Sequence, residues 1–213
     1  MLDYMTSDLD WREAELGSLK ILLARQDLTD QQKAVLLRAS WALLYAHYEG
    51  FTKTAFTVFY EKVTERTQNC RSLPRATKVF ALDKMLREIK KLDLPDFLDK
   101  IENFFPSEKP AFPEVDTKSN LWPNILEQLL YEADVKLQTI DQHRVTIKSL
   151  VARRNNIAHG KQEIITELSL YRSHELAVYE VMYDLAFSLD ERIKRPPYSI
   201  DPWDHCHDPI DMI

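Results

Sequence analysis

Trp41-Ala42-Leu43-Leu44-Tyr45-Ala46-His47-Tyr48-Glu49-Gly50-Phe51 is apolar nearly all round when wound as a helix. A helix without a polar face is one surrounded by others, so this stretch predicts the central core helix of an all-α fold. It lies inside a longer helical run, Val35 to about Thr64, that begins behind a capping-box pattern at Thr29 and Gln32. One residue breaks the apolar pattern. Glu49 puts a carboxylate where burial is costly unless a cation or hydrogen bonds compensate it. Arg154 is one candidate partner, and another basic group or exposure at a helix edge are the alternatives. His47 and Tyr48 flank Glu49 and read more simply as core or surface residues.

Outward from this helix the chain continues to read as helix. Glycine is confined to Gly17, Gly50 and Gly160, which argues against a turn-rich β protein and leaves no phosphate-cradling glycine loop. Ser7 and Asp10 resemble a capping-box start ahead of a stripe of Leu9, Leu16, Leu19 and Leu23. Pro74 predicts a helix to about Lys91, and Pro95 a short one ending near Phe105. Residues 106–123 hold Pro106, Pro110, Pro113 and Pro123, and read as an inserted Pro-rich loop, long enough to be functional or mobile. A helix from Pro123 carries Ile125, Leu126, Leu129 and Leu130. Thr139 and Gln142 repeat the capping-box pattern before a helix with Val145, Ile147, Leu150, Val151 and Ile157 on its apolar side. A last helix spans about 167–194. The expected organisation is one helical domain over residues 7–194 and a C-terminal tail over 195–213.

Composition narrows the setting. The 213 residues carry a net charge of −6, so a general affinity for nucleic acid is not expected. Two basic islands stand out: residues 62–91, and residues 144–161 with Arg144, Lys148, Arg153, Arg154 and Lys161 and no acid. They predict either a phosphate-binding groove or ordinary solvated helix faces. Cys70 and Cys206 make no disulfide framework, no apolar run is long enough for a bilayer, and the N-terminus lacks a signal-peptide pattern. A cytoplasmic protein without a membrane partner is expected.

The second informative stretch is Arg153-Arg154-Asn155-Asn156-Ile157-Ala158-His159-Gly160. Arginine is a permanent cation with a planar fork of donors suited to phosphate oxygens. Histidine exchanges a proton near neutral pH. Together they are a minimal kit for cleaving an RNA phosphodiester without a metal or another cofactor. On an ideal helix Arg154 and His159 stand about 140° apart and would not share a face. They converge if the helix ends at the motif, with Gly160 in a left-handed cap, or if each meets its counterpart across a two-fold interface.

With His47-Tyr48-Glu49-Gly50-Phe51, this octet resembles the HEPN superfamily of small helical proteins, many of them RNases, and within it the MAE-like branch of predicted prokaryotic toxins. The resemblance implies a HEPN-like bundle in a two-fold homodimer with a composite groove. It implies an endoribonuclease acting by 2′-OH transesterification, which leaves 2′,3′-cyclic phosphate and 5′-OH ends. Arg154 and His159 are the catalytic candidates, and Asn155 and Glu49 the supporting ones. Arg153, Lys148 and Lys161 are candidates for RNA binding. The expected partners are RNA, a second copy of the chain, and an antitoxin or defence-system protein that restrains a toxic RNase. The alternative is a non-catalytic HEPN module that binds RNA, nucleotide or a protein partner. No metal site is expected; the tail run Asp201 to Asp208 has His and Cys but no zinc-type ligand spacing.

Overall fold

The computed structural model describes residues 1–98, 109–162 and 168–199, the side chains at 84, 85 and 88 excepted. Among the described residues there are six long helices, one 3₁₀ turn at Cys70–Ser72, and no strand. The helices are α1 (Leu2–Leu23), α2 (Asp30–Arg66), α3 (Arg75–Ile89), α4 (Pro123–Glu132), α5 (Gln138–Ala158) and α6 (Leu168–Ile193). Residues 94–98 are also helical, which matches the start expected at Pro95; the expected end near Phe105 lies outside the described residues.

α2 is the axis. Its 37 residues span about 55 Å at the usual helical rise. It packs against α1, α5 and α6, so three sides of it are covered. Leu37, Trp41, Leu44, Tyr45, Tyr48, Phe51, Phe56 and Phe59 are all buried. The capping box at its start is real: Thr29 Oγ1 accepts from the Gln32 amide at 3.2 Å, and Gln32 Oε1 accepts from the Thr29 amide at 2.8 Å. α3 and α4 pack on each other, and α4 reaches α5. Pro123 opens α4, where its missing N–H costs nothing.

Two expected caps are not formed. α1 begins at Leu2, with no side-chain cap, and Ser7 lies within it. Met5 is fully buried, and that burial extends the helix ahead of the Ser7 signal. α5 begins at Gln138 without a capping box, because Thr139 is engaged elsewhere: its Oγ1 donates to Asp184 Oδ2 of α6 at 2.7 Å. Val145 is 80% exposed, contrary to the apolar side expected for α5. It stands about 200° from Ile147, whose face is buried with Leu150 and Val151. At the C-terminal end, packing continues to Tyr198, which is buried against Phe59 at 6.0 Å and lies under Arg192. Residues 200–213 of the expected tail, including its His and Cys, lie outside the described residues.

Two histidines are buried in this frame, and their chemistry predicts a pH-dependent stability. His47 faces α1, with Nε2 2.9 Å from Glu15 Oε2 and the Arg12 guanidinium beside Nδ1. His174 sits edge-on to Trp41 at 4.6 Å and makes a 2.8 Å hydrogen bond from Nδ1 to the Leu170 carbonyl. Burial holds both below the ordinary histidine pKa. The fold therefore holds them neutral, and the unfolded chain takes up the protons that the fold refuses. Stability is full above about pH 6.5 and falls as pH drops below that value. Thermal melts are expected to show a lower midpoint at about pH 5.5 than at about pH 7.5. His174→Phe, which keeps a ring against Trp41, shrinks the difference; an undiminished drop in both His174→Phe and His47→Phe would assign it to other groups.

Candidate active site

The octet forms the last turn of α5 and its cap. The backbone there closes in the pattern that ends many helices with glycine. Gly160 N–H donates to the Ile157 carbonyl at 3.1 Å and Lys161 N–H to the Asn156 carbonyl at 2.9 Å. Gly160 adopts φ 72°, the left-handed conformation expected of it. A side chain at that φ costs about 1–2 kcal/mol. Gly160→Ala is accordingly expected to lower unfolding stability by about 1 kcal/mol, and Gly160→Asn by less. Urea titrations with an unchanged midpoint for the alanine variant would contradict this cap.

Arg154 points from α5 onto α2. Its guanidinium carbon stands 4.3 Å from the centre of the Tyr45 ring. Nη1 donates to Asn120 Oδ1 at 2.9 Å and to Asn155 Oδ1 at 3.0 Å. Nη2 lies 4.0 Å from Glu49 Oε2. Glu49 is thus the lone carboxylate of the apolar stretch, compensated by an arginine and by a 2.6 Å hydrogen bond from Thr117 Oγ1. Tyr45 Oη accepts from the Leu121 amide at 2.8 Å, and burial pushes its hydroxyl up to about 12. The two Nη1 protons are both used. Among the described residues nothing accepts a hydrogen bond from Nε or Nη2, and the side chain is 29% exposed. Arginine forks in general offer such an edge to a phosphate as two parallel donors.

His159 is the C-cap residue itself, exposed, with φ −85°. Among the described residues its imidazole makes no hydrogen bond or ion pair, and nothing joins it to Arg154 or Glu49. The capped end thus leaves His159 exposed at the surface, with no hydrogen bond or ion pair to the arginine cluster among the described residues. Asn155 contributes its side chain to Arg154 and its carbonyl to the His159 amide at 2.9 Å.

The model of the family described as MAE_28990-like HEPN matches residues 1–198. The chain belongs to this HEPN family. No curated protein and no solved structure matches.

Within this HEPN domain the remaining candidates divide by environment. Arg153 lies over the Trp41 indole at 4.9 Å, so its cation is held against the bundle beside the motif. Lys148 and Lys161 are exposed and form no ion pair among the described residues. Arg144 is neutralised by Glu127 and Asp141. His143 pairs with Glu180. The other basic island lies elsewhere: Lys62 is about 20 Å along α2 from Glu49. Four of its nine basic residues have structural partners, Lys62 on Glu65, Arg66 on the Ile193 carbonyl, Lys78 on the Arg71 carbonyl and Arg87 on Asp83.

Five site residues were not legible in the sequence. Tyr45 reads as core, and it is core that doubles as a platform for Arg154. Thr117, Asn120 and the Leu121 amide come from the Pro-rich stretch, whose residues 109–122 have no regular structure and no periodicity to reveal their aim. Arg38 donates from Nη2 to the Ile157 carbonyl at 3.4 Å, placing a cation at the negative end of α5. No group of three or more His, Cys, Asp or Glu among the described residues is arranged to hold a metal, and no helix among them is long and apolar enough to cross a membrane.

Proposed function

We propose that this HEPN protein is a metal-independent endoribonuclease. The observation that supports this best is the Arg154 guanidinium, held at Nη1 by Asn120 and Asn155, with no hydrogen bond from Nε or Nη2 among the described residues and Glu49 Oε2 4.0 Å from Nη2. A phosphodiester seated on the Nε/Nη2 edge brings its charge against a fixed cation in a half-buried site, where such stabilisation is strongest. His159 then removes the proton of the adjacent 2′-OH. O2′ bonds to phosphorus, the P–O5′ bond breaks, and the leaving O5′ takes a proton from an acid. The products are a 2′,3′-cyclic phosphate and a 5′-hydroxyl. Glu49 limits the freedom of the arginine, and Arg153, Lys148, Lys161 and Arg38 supply the positive surround for the strand.

The lack of any hydrogen bond or ion pair between His159 and the arginine cluster among the described residues is compatible with a two-fold homodimer. A second copy would bring its own His159 across the interface, so that one histidine serves as base and the other as acid. A toxin or defence role, restrained by an antitoxin protein, follows from the family resemblance. The same lack of a link also favours a second reading, a module that binds RNA without cutting it.

One substrate pair distinguishes them. The protein is expected to cut an all-RNA oligonucleotide and to leave its fully 2′-O-methylated counterpart intact. Cutting of the methylated strand would exclude attack by the 2′-oxygen, and retention of both strands uncut with measurable affinity would favour the binding module.

A further inference from the structure

Three consecutive tertiary hydrogen bonds tie residues 117–121 to the arginine cluster. Thr117 holds Glu49 at 2.6 Å, Asn120 holds Arg154 at 2.9 Å, and the Leu121 amide holds Tyr45 at 2.8 Å. The segment itself is fixed in shape. Asn120 N–H donates to the Thr117 carbonyl, and Trp122 N–H donates to the Asn120 carbonyl. Between them Lys118 and Ser119 both adopt positive φ, 51° and 66°, with the Lys118 amide held by Asp116 Oδ1 at 2.7 Å. Two successive non-glycine residues in that region persist only where the surroundings over-determine them, which is common where a segment serves a site. Thr117 and Leu121 are buried, so the segment is anchored at both ends, with Lys118 and Ser119 exposed between them.

Asn120 differs in kind from Glu49. Its amide oxygen is a neutral acceptor, so it orients the guanidinium without cancelling its charge. With Asn155 it takes both Nη1 protons, and this leaves Nε and Nη2 as the donors without a hydrogen bond among the described residues, Nη2 lying 4.0 Å from Glu49 Oε2. We propose that Asn120 is a positioning residue that turns the Nε/Nη2 edge of Arg154 toward the substrate phosphate. The assignment rests on the RNase reading for its consequence in catalysis, but the orientation itself can be read without any cleavage.

Loss of one fixed orientation in an active site costs on the order of 10²-fold in rate. Asn120→Ala is expected to lower kcat by about that factor, with KM within about threefold of wild type, because the cation is retained and only its direction is lost. Asn120→Asp keeps an acceptor oxygen in place but sets a negative charge beside the cation, so it is expected to recover kcat only to within about tenfold of wild type. In ¹⁵N spectra, separate slowly exchanging Nη1 protons of Arg154 are expected in wild type and Asn120→Asp, and averaged ones in Asn120→Ala. Wild-type kcat in Asn120→Ala, or no recovery in Asn120→Asp, would overturn the proposal. If Asn120→Ala does not fold, Asn120→Asp decides alone: activity as low as that of Arg154→Ala would overturn it. If wild type cuts no RNA, the RNase reading fails separately, and the Nη1 protons decide the positioning role: averaging in wild type overturns it, and separation lost only in the alanine variant supports it.

Discussion

His159→Ala is expected to reduce RNA cleavage by about 10²- to 10⁴-fold, the range for removing a general acid or base, while leaving the fold intact. The two halves of this expectation have separate causes. The imidazole is exposed and makes no hydrogen bond or ion pair among the described residues, so none of these is lost with it. The backbone of residue 159 does the structural work of the cap, and alanine retains it: the amide still donates to the Asn155 carbonyl. If the protein is a two-fold dimer with one composite groove, the variant lacks both the base and the acid, which places the loss toward the upper end of the range. Melting temperature and circular dichroism should match wild type. A variant that melts well below wild type would give His159 a structural role that its exposure denies, and full cleavage by a folded variant would remove it from the chemistry.

Arg154→Ala is the second large effect, and its signature differs. Removing a preorganised charge at a developing oxyanion costs about 10²–10³-fold in rate. Here the arginine is also a structural partner, on Tyr45, Asn120 and Glu49. The variant is expected to lose activity and some stability together. Glu49 then keeps the Thr117 hydroxyl hydrogen bond but loses its cation. Adding Glu49→Gln to Arg154→Ala should therefore return part of the lost melting temperature but none of the lost activity, a non-additivity expected of residues in contact. Arg154→Lys is not conservative here. A single ammonium cannot serve two asparagine acceptors and present a two-donor edge to phosphate, so its rate should lie near that of the alanine variant. Lysine at wild-type rate would reduce Arg154 to a point charge and contradict the oriented-fork account.

These contrasts bear on what the sequence disclosed. The all-round apolar run at 41–51 identified the central helix because hydrophobic burial on three sides leaves no room for a polar face. Glu49 pointed to a compensating cation because a carboxylate in such a helix has few other ways to be tolerated, and Arg154 stands 4.0 Å away. Gly160 marked the helix end because its left-handed backbone suits glycine. Local signals failed where tertiary partners intervened. Thr139 looked like a cap and instead donates to Asp184 across to α6, and Ser7 looked like a start but lies inside a helix that the burial of Met5 extends. Asn120 and Thr117 were out of reach for a different reason. Their role depends on the path of a segment with neither helical nor strand period, and spacing cannot encode where such a path leads.

The central claim is that Arg154 and His159 cleave RNA through its own 2′-oxygen. The most direct test is the end chemistry of RNA cut by the wild-type protein in EDTA, with His159→Ala run alongside. The account predicts fragments with 2′,3′-cyclic phosphate and 5′-hydroxyl ends in the wild-type reaction and none in the variant. Fragments with 5′-phosphate and 3′-hydroxyl ends, or equal cutting by both proteins, would contradict it.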